Sequence, residues 1–224
     1  MRWSPGRPTQ ILALRDELTT RAFDDPGEWW PELPDVIGGR DQVAGGTWCA
    51  SRVGTGVTAL VLNRPQKRAA DAGAPSRGVL PLLAVEHEQG WAAHLDPEGM
   101  ASFALVLVTP VHVTTWDFDG AHLTENAPGA GTHMVTSGGI EDGKAERYLD
   151  AFRSAADADE WRTLIRRDTP SADLTELVVR REGDGMVYAT VFGQLIEAEP
   201  GRLSVQYSRT PWRDDGWKAV TRRS

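Results

Sequence analysis

Apolar positions in this chain come in short runs, and nearly every run is closed by a glycine, proline or charged cluster. The cleanest is Phe103 to Val108 (FALVLV). Six unbroken apolar residues predict a strand buried on both faces. Ile11 to Leu14 is a second run; it reads as a buried strand whose end delivers the charged cluster Arg15-Asp16-Glu17. Pro5, Gly6 and Pro8 predict a loop over residues 3–9, and Pro26, Gly27, Pro31 and Pro34 predict irregular chain over 21–34. A short strand is expected at Val36-Ile37. Trp48 to Arg52 and Val57 to Leu62 should form a hairpin around Gly54-Thr55-Gly56. Residues 64–77 read as a polar loop.

A helix is predicted from Ser76, a good N-cap residue, with Val79, Leu80, Leu82, Leu83 and Val85 as its apolar face and Pro81 in its first turns. A second short helix is expected over Asp96–Ala101. Val111 to Trp116 then reads as a strand, turning at Asp117–Gly120 into Ala121–Glu125. His133 to Thr136 is a further strand. Lys144 to Ala155 and Asp159 to Arg167 read as helices. Val187 to Glu197, Leu203 to Tyr207 and Trp217 to Val220 read as a closing meander. Many strands with a few interspersed helices and no long linker predict one α+β domain over residues 1–224.

The densest signal lies between Trp29 and Asn63. Gly38-Gly39 and Gly45-Gly46 bracket Arg40-Asp41 and are followed by Thr47-Trp48. Two glycine pairs so close together predict backbone folded tightly around something, or a hairpin and its lead-in loop.

Composition narrows the function classes. Hydrophobic residues make up 40% of the 224 and charged residues 25%, as in a globular protein. A net charge of −8 argues against a nucleic-acid partner. No apolar run approaches the roughly 20 residues of a membrane span, and the N-terminus lacks an apolar signal core. The single cysteine, Cys49, cannot form an internal disulfide, which fits a reducing, cytoplasmic setting.

Other chemistry is weakly signalled. Cys49 follows Trp48 on a predicted strand and reads as a buried structural thiol. The five histidines have no zinc-ligand spacing, and the glycine pairs match no nucleotide-binding loop. Asp117-Phe118-Asp119-Gly120 has part of a calcium loop without the downstream ligands and reads as a hairpin turn. No metal site is expected.

The order of these features resembles a known family: a strand ending in Arg15-Asp16-Glu17, then Trp29-Trp30, Gly39-Arg40-Asp41, Gly45-Gly46-Thr47-Trp48, Leu62-Asn63 and Pro75-Ser76-Arg77-Gly78. Together they are similar to the NRDE family, also called the transport-and-Golgi-organisation protein 2 family. Leu14 stands where the family signature has Asn. The likeness is strong over residues 11–78 and loose beyond residue 100.

The resemblance implies the fold of N-terminal-nucleophile hydrolases, a four-layer αββα sandwich of two antiparallel sheets. It makes Asn63 the candidate oxyanion donor, with Arg15 and Asp16 as the charged pair flanking a nucleophile. Trp48, Arg40, Asp41 and Arg77 are the candidate ligand-binding residues. Members carry Cys directly after the initiator Met, whereas Arg2 stands here. The chain is therefore expected to start a few residues late. The motifs Val135-Thr136-Ser137 and Tyr188-Ala189-Thr190-Val191 replace two later family motifs. Two functions follow as expectations. The first is a ligand-binding or trafficking protein for a small molecule, haem being one candidate. The second is a cysteine-dependent amide or acyl hydrolase whose N-terminal Cys lies upstream.

Overall fold

The computed structural model describes residues 1–64, 70–140, 143–166 and 169–220. The loop expected over 64–77 lies partly outside them, at residues 65–69. Two seven-stranded antiparallel sheets organise the chain. The first is built from β1 (Arg2–Trp3), β2 (Thr9–Leu18), β10 (Gly131–Thr132), β13 (Arg180–Gly183), β14 (Met186–Glu199), β15 (Arg202–Ser208) and β16 (Lys218–Ala219). Its order is β10-β1-β2-β14-β15-β16, with β13 also on β14. The second runs in simple sequence order: β3 (Phe23–Gly27), β4 (Val36–Asp41), β5 (Cys49–Arg52), β6 (Thr58–Asn63), β7 (Phe103–Val108), β8 (Val113–Phe118) and β9 (Leu123–Asn126). A small hairpin, β11 (Val135–Thr136) with β12 (Gly139–Ile140), stands apart.

The period of two along each strand separates three cores. Ile11, Cys49, Val106, Val108, Ile196 and Ala198 meet between the sheets. Their neighbours on the same strands face outward. Ala50, Ala59, Phe103, Leu105 and Leu107 of the second sheet pack under α1 (Leu80–His87), around the fully buried Trp91. Leu12, Leu14 and Leu195 of the first sheet pack under α2 (Gly143–Ser154) and α3 (Ala158–Arg166). The result is an α+β sandwich with helices on both outer faces, as expected.

Helix placement follows from spacing. Ala145, Leu149 and Phe152 form the buried stripe of α2, and Ala158, Trp161 and Ile165 that of α3. The Glu160 N–H donates to the Asp157 carboxylate at 3.0 Å, capping α3. The Arg2 guanidinium, stacked 5.1 Å from the Trp161 ring centre, donates to the Phe152 and Ala155 carbonyls at the end of α2. It closes orphaned helix carbonyls and ties β1 to the helical layer.

Several expectations need correction. The charged triplet Arg15-Asp16-Glu17 lies inside β2, not beyond its end, because β14 pairs with β2 through Leu18. Gly38-Gly39 lies within β4, not in a turn. A Cβ on Gly38 would sit 2.6 Å from the Cys49 carbonyl oxygen, and one on Gly39 2.4 Å from the Trp48 ring. These glycines serve close approach. Residues 96–101 are not helical: Asp96 accepts from the Glu98 N–H, and Gly99 turns the chain at φ +80°. The helical turns sit earlier, at Glu88–Ala93. Phe23–Gly27 is a strand in a stretch expected to be irregular, and β1 and β13 were not anticipated. His133 and Met134 separate β10 from β11 instead of belonging to one strand.

Gly46 holds the second pair's role. A Cβ there would meet the Gly78 backbone at 2.4 Å, where the Thr47 N–H donates to the Gly78 carbonyl at 2.8 Å. Backbone cannot yield as a side-chain tip can. Gly46→Ala should therefore cost about 1–3 kcal/mol of unfolding free energy in urea. Gly54→Ala, with no atom within 4 Å of the new methyl, should be close to neutral. Equal effects at the two positions would show that this approach does not constrain the fold.

Candidate functional site

A cavity of about 510 Å³ opens beside β2. Its polar wall is Arg15, Asp16, Glu17, Arg21, Asp41, Arg77 and Lys144; its apolar wall includes Leu12, Leu14, Leu60, Leu62, Phe152 and Trp161.

Asp41 is the hub of the polar wall. It ends β4 and is closed into place by the Asp41 N–H donating to the Gly46 carbonyl at 2.9 Å. Its carboxylate accepts from Arg21 at 2.6 and 3.2 Å, from Arg15 at 3.4 Å, and from the Val43 and Ala44 amides at 2.9 and 3.0 Å. Burial works against the anion. The Arg21 and amide hydrogen bonds outweigh it and hold the Asp41 pKa below the usual carboxylate range.

Arg15 is 8% exposed. Its guanidinium lies 4.4 Å from the Trp48 ring centre and 5.0 Å from that of Phe23. One terminal nitrogen, Nη2, reaches Glu17 and Asp41, each at 3.4 Å. The other, Nη1, is buried and has no hydrogen-bond partner among the described residues; the same holds for the Trp48 indole N–H. Burial lowers the Arg15 pKa, and Glu17 and Asp41 oppose that shift. Both orphaned donors belong to residues that line the cavity.

A β-bulge in β14, the strand next to β2, supports this wall from behind. Thr190 pairs with Asp16 while Phe192 pairs with Arg15, so β14 carries one extra residue, Val191. Thr190 and Phe192 would otherwise share a face. With the bulge, the Thr190 hydroxyl donates to Asp16 at 2.6 Å, and Phe192 packs edge-on against Trp48 and Phe23, with ring centres 5.4 and 5.7 Å away. Burial raises the Asp16 pKa; Thr190 and Lys144 partly offset it. Tyr188 of β14, which does line the cavity, is pushed up to about 12, first by burial and then by Asp16 and Glu17.

Of the residues expected to form the site, Arg15, Asp16, Trp48, Asp41, Arg77 and Asn63 all line the cavity. Asn63 is exposed, at the end of β6. Arg77 donates to the Ser102 carbonyl at 2.8 Å. Arg40 does not line the cavity: it pairs with Asp24 at 2.8 Å and stacks 4.6 Å from the Trp29 ring centre. Cys49 is fully buried, and its thiol is pushed up to about 12 by that burial, so it is inert. Sequence reasoning missed Arg21, Lys144, Tyr188 and Thr190. Only the pairing of β14 with β2 brings the last two in, and strand register has no local signature here.

Asp41→Asn should lower stability at pH 7 by about 2 kcal/mol, the scale of hydrogen bonds to a charged group. The Asp41 pKa is depressed on folding, so its contribution is present above the unfolded carboxylate value of about 3.9 and is lost as pH falls through the folded value. Urea unfolding of both proteins between pH 7 and pH 2.5 should show the difference shrinking only at the acid end. A difference that grows on acidification would contradict the assignment.

No curated protein matches the chain. The family model described as Transport and Golgi organisation 2 matches residues 7–183, from the turn before β2 to the end of β13. That span takes in Arg15, Asp16, Asp41, Trp48, Asn63, Arg77 and Lys144. Most of the chain and most of the cavity wall thus fall within one match, and the chain belongs to the Transport and Golgi organisation 2 family.

Proposed function

We propose that this protein binds an amphipathic small molecule with an anionic group, as a carrier on an N-terminal-nucleophile hydrolase-like scaffold. The observation that carries this reading is a pair of arginines, Arg15 and Arg77, on one wall of a cavity whose other lining is mainly apolar. Among the described residues Arg15 Nη1 has no hydrogen-bond partner and Arg77 has no ion pair, and the uncharged lining is largely aliphatic and aromatic. A carboxylate or phosphate would satisfy the guanidinium, and an acyl or ring system would fill the chamber.

Haem fits this donor set as a cargo. Its carboxylates suit Arg15 and Arg77, and His133 lines the cavity. The His133 Nε2, however, lies 2.8 Å from the Gly129 carbonyl oxygen, a contact that axial ligation through that nitrogen would break.

A second reading is a cysteine-dependent amide or acyl hydrolase. Met1 lines the cavity in strand register, bonded in both directions to His133 at 2.8 Å, so residues preceding it would enter the cavity beside Arg15 and Asp16. A cysteine delivered there would have Arg15 to lower its pKa and Asn63 as an oxyanion donor.

Titration with laurate and with haem, followed by calorimetry and by the haem absorbance band, tests the carrier. Arg77→Ala should weaken the anionic ligand by ~10–100-fold, the scale of one charge-assisted hydrogen bond. Arg40→Ala should leave affinity unchanged. Loss of binding in Arg40→Ala with none in Arg77→Ala would remove this cavity as the site. For the second reading, a chain extended upstream to begin at Cys should release acid from N-acyl amides, and Asn63→Ala should cut that turnover ~100-fold or more. An extended chain with no turnover and an unreactive thiol would end the hydrolase reading.

A further inference from the structure

Arg209 grips the second sheet from the first. It directly follows β15 of the first sheet, and its guanidinium reaches β3, the edge strand of the second. Its Nε donates to the Asp25 carboxylate at 2.7 Å, and one terminal nitrogen donates to the Phe23 carbonyl at 3.2 Å. The guanidinium carbon lies 4.4 Å from the Phe23 ring centre. Within its own sheet β3 has one neighbour, β4, and its register with that strand shifts between Asp24 and Gly27. An edge strand with an interrupted ladder is held by fewer backbone bonds, so side-chain ties decide where it sits.

The ring that Arg209 holds is one that backs Arg15. Phe23 lies 5.0 Å from the Arg15 guanidinium and meets Trp48 and Phe192 edge-on, with ring centres 5.5 and 5.7 Å away. Phe192 stacks in turn on Tyr207 of β15 at 5.8 Å. One ring thus carries two guanidiniums, the buried Arg15 and the half-exposed Arg209. Neither Phe23 nor Arg209 lines the cavity. The groups whose charge acts on Arg15 are Glu17, Asp41, Arg21 and Tyr188, and Arg209 is not among them. Arg209 therefore reaches Arg15 through the ring and not through its own field.

Resting on the carrier reading above, we infer that Arg209 is a positioning residue for the anion site: by clasping Asp25 and the Phe23 carbonyl, it holds the Phe23 ring against Arg15. The ring has two effects there. It compensates a cation withdrawn from water. It also keeps water from one side of that cation, and a guanidinium less screened by water attracts an anion more strongly. Released from the clasp, β3 shifts, water reaches Arg15, and the anion is held less tightly. Arg40 supplies a control inside the same sheet. It pairs with Asp24 of β3 and stacks 4.6 Å from the Trp29 ring centre, a ring that does not back Arg15.

The test follows the Arg15 side-chain N–H signals by NMR in the whole protein and titrates laurate into the same samples. Arg209→Ala should shift the Arg15 signals, quicken their exchange with water and weaken laurate about 5-fold, the scale of one cation–π contact. Asp25→Asn, which keeps both the ring and Arg209, should move the same signals in the same direction. The double variant should be no worse than Arg209→Ala alone, because both changes undo one clasp. Arg40→Ala should move neither signals nor affinity. Unaltered Arg15 signals in Arg209→Ala would overturn the clasp and leave the carrier intact. Altered signals with unchanged laurate affinity, or signals that move equally in Arg40→Ala, would overturn the positioning role. A wild type that binds no laurate, or binding indifferent to Arg77→Ala, would overturn the carrier and the ligand role of Arg209 with it, whatever the Arg15 signals do.

Discussion

A guanidinium withdrawn from water has to be compensated by charge, hydrogen bonds or ring faces, and Arg15 draws on all three. Asp41 and Glu17 supply charge at 3.4 Å, and Trp48 and Phe23 supply π faces at 4.4 and 5.0 Å. Each partner comes from a different place in the chain. Glu17 shares β2 with Arg15, Asp41 ends β4, Trp48 precedes β5 and Phe23 opens β3. Satisfying one buried cation therefore requires the two sheets to be stacked in one relative position. Arg15 Nη1 has no hydrogen-bond partner among the described residues, so the compensation is by ring face and charge on that side.

That position is fixed by how closely backbone can approach. Gly38 and Gly39 let β4 lie against Cys49 and the Trp48 ring, and Gly46 lets the next loop lie against Gly78. The first approach seats Trp48 where Arg15 can stack on it. The second docks the loop onto the turn that carries Arg77. Absent side chains thus position present ones. Gly38, Gly39 and Gly46 do not line the cavity themselves, yet they set the spacing of residues that do.

Behind β2 a single extra residue does similar work. The bulge at Val191 turns Thr190 toward Asp16 and Phe192 toward Trp48, on opposite faces of the sheet. Residues from both faces of β2, Arg15 and Asp16 among them, line the same cavity.

Much of this was legible in the sequence, because it is local. The FALVLV run became β7 at its expected bounds, since an apolar run of strand length has nowhere to go but the interior. The hairpin at Gly54–Gly56, the N-cap at Ser76 and the helices α2 and α3 follow from turn chemistry, capping and a 3.6-residue stripe. The motif order from Arg15 to Arg77 pointed to the family and to six residues that line the cavity. The same local reading placed Asp96–Ala101 in a helix, because it weighed composition above the turn made by Asp96 and Gly99. Tertiary structure alone decided the rest. Arg40 and Asp41 are neighbours in sequence, but strand alternation sends one to Asp24 and Trp29 and the other to the cavity. Arg21, Lys144, Tyr188 and Thr190 join the site through pairings up to 174 residues apart, and a pairing register leaves no trace in either strand alone.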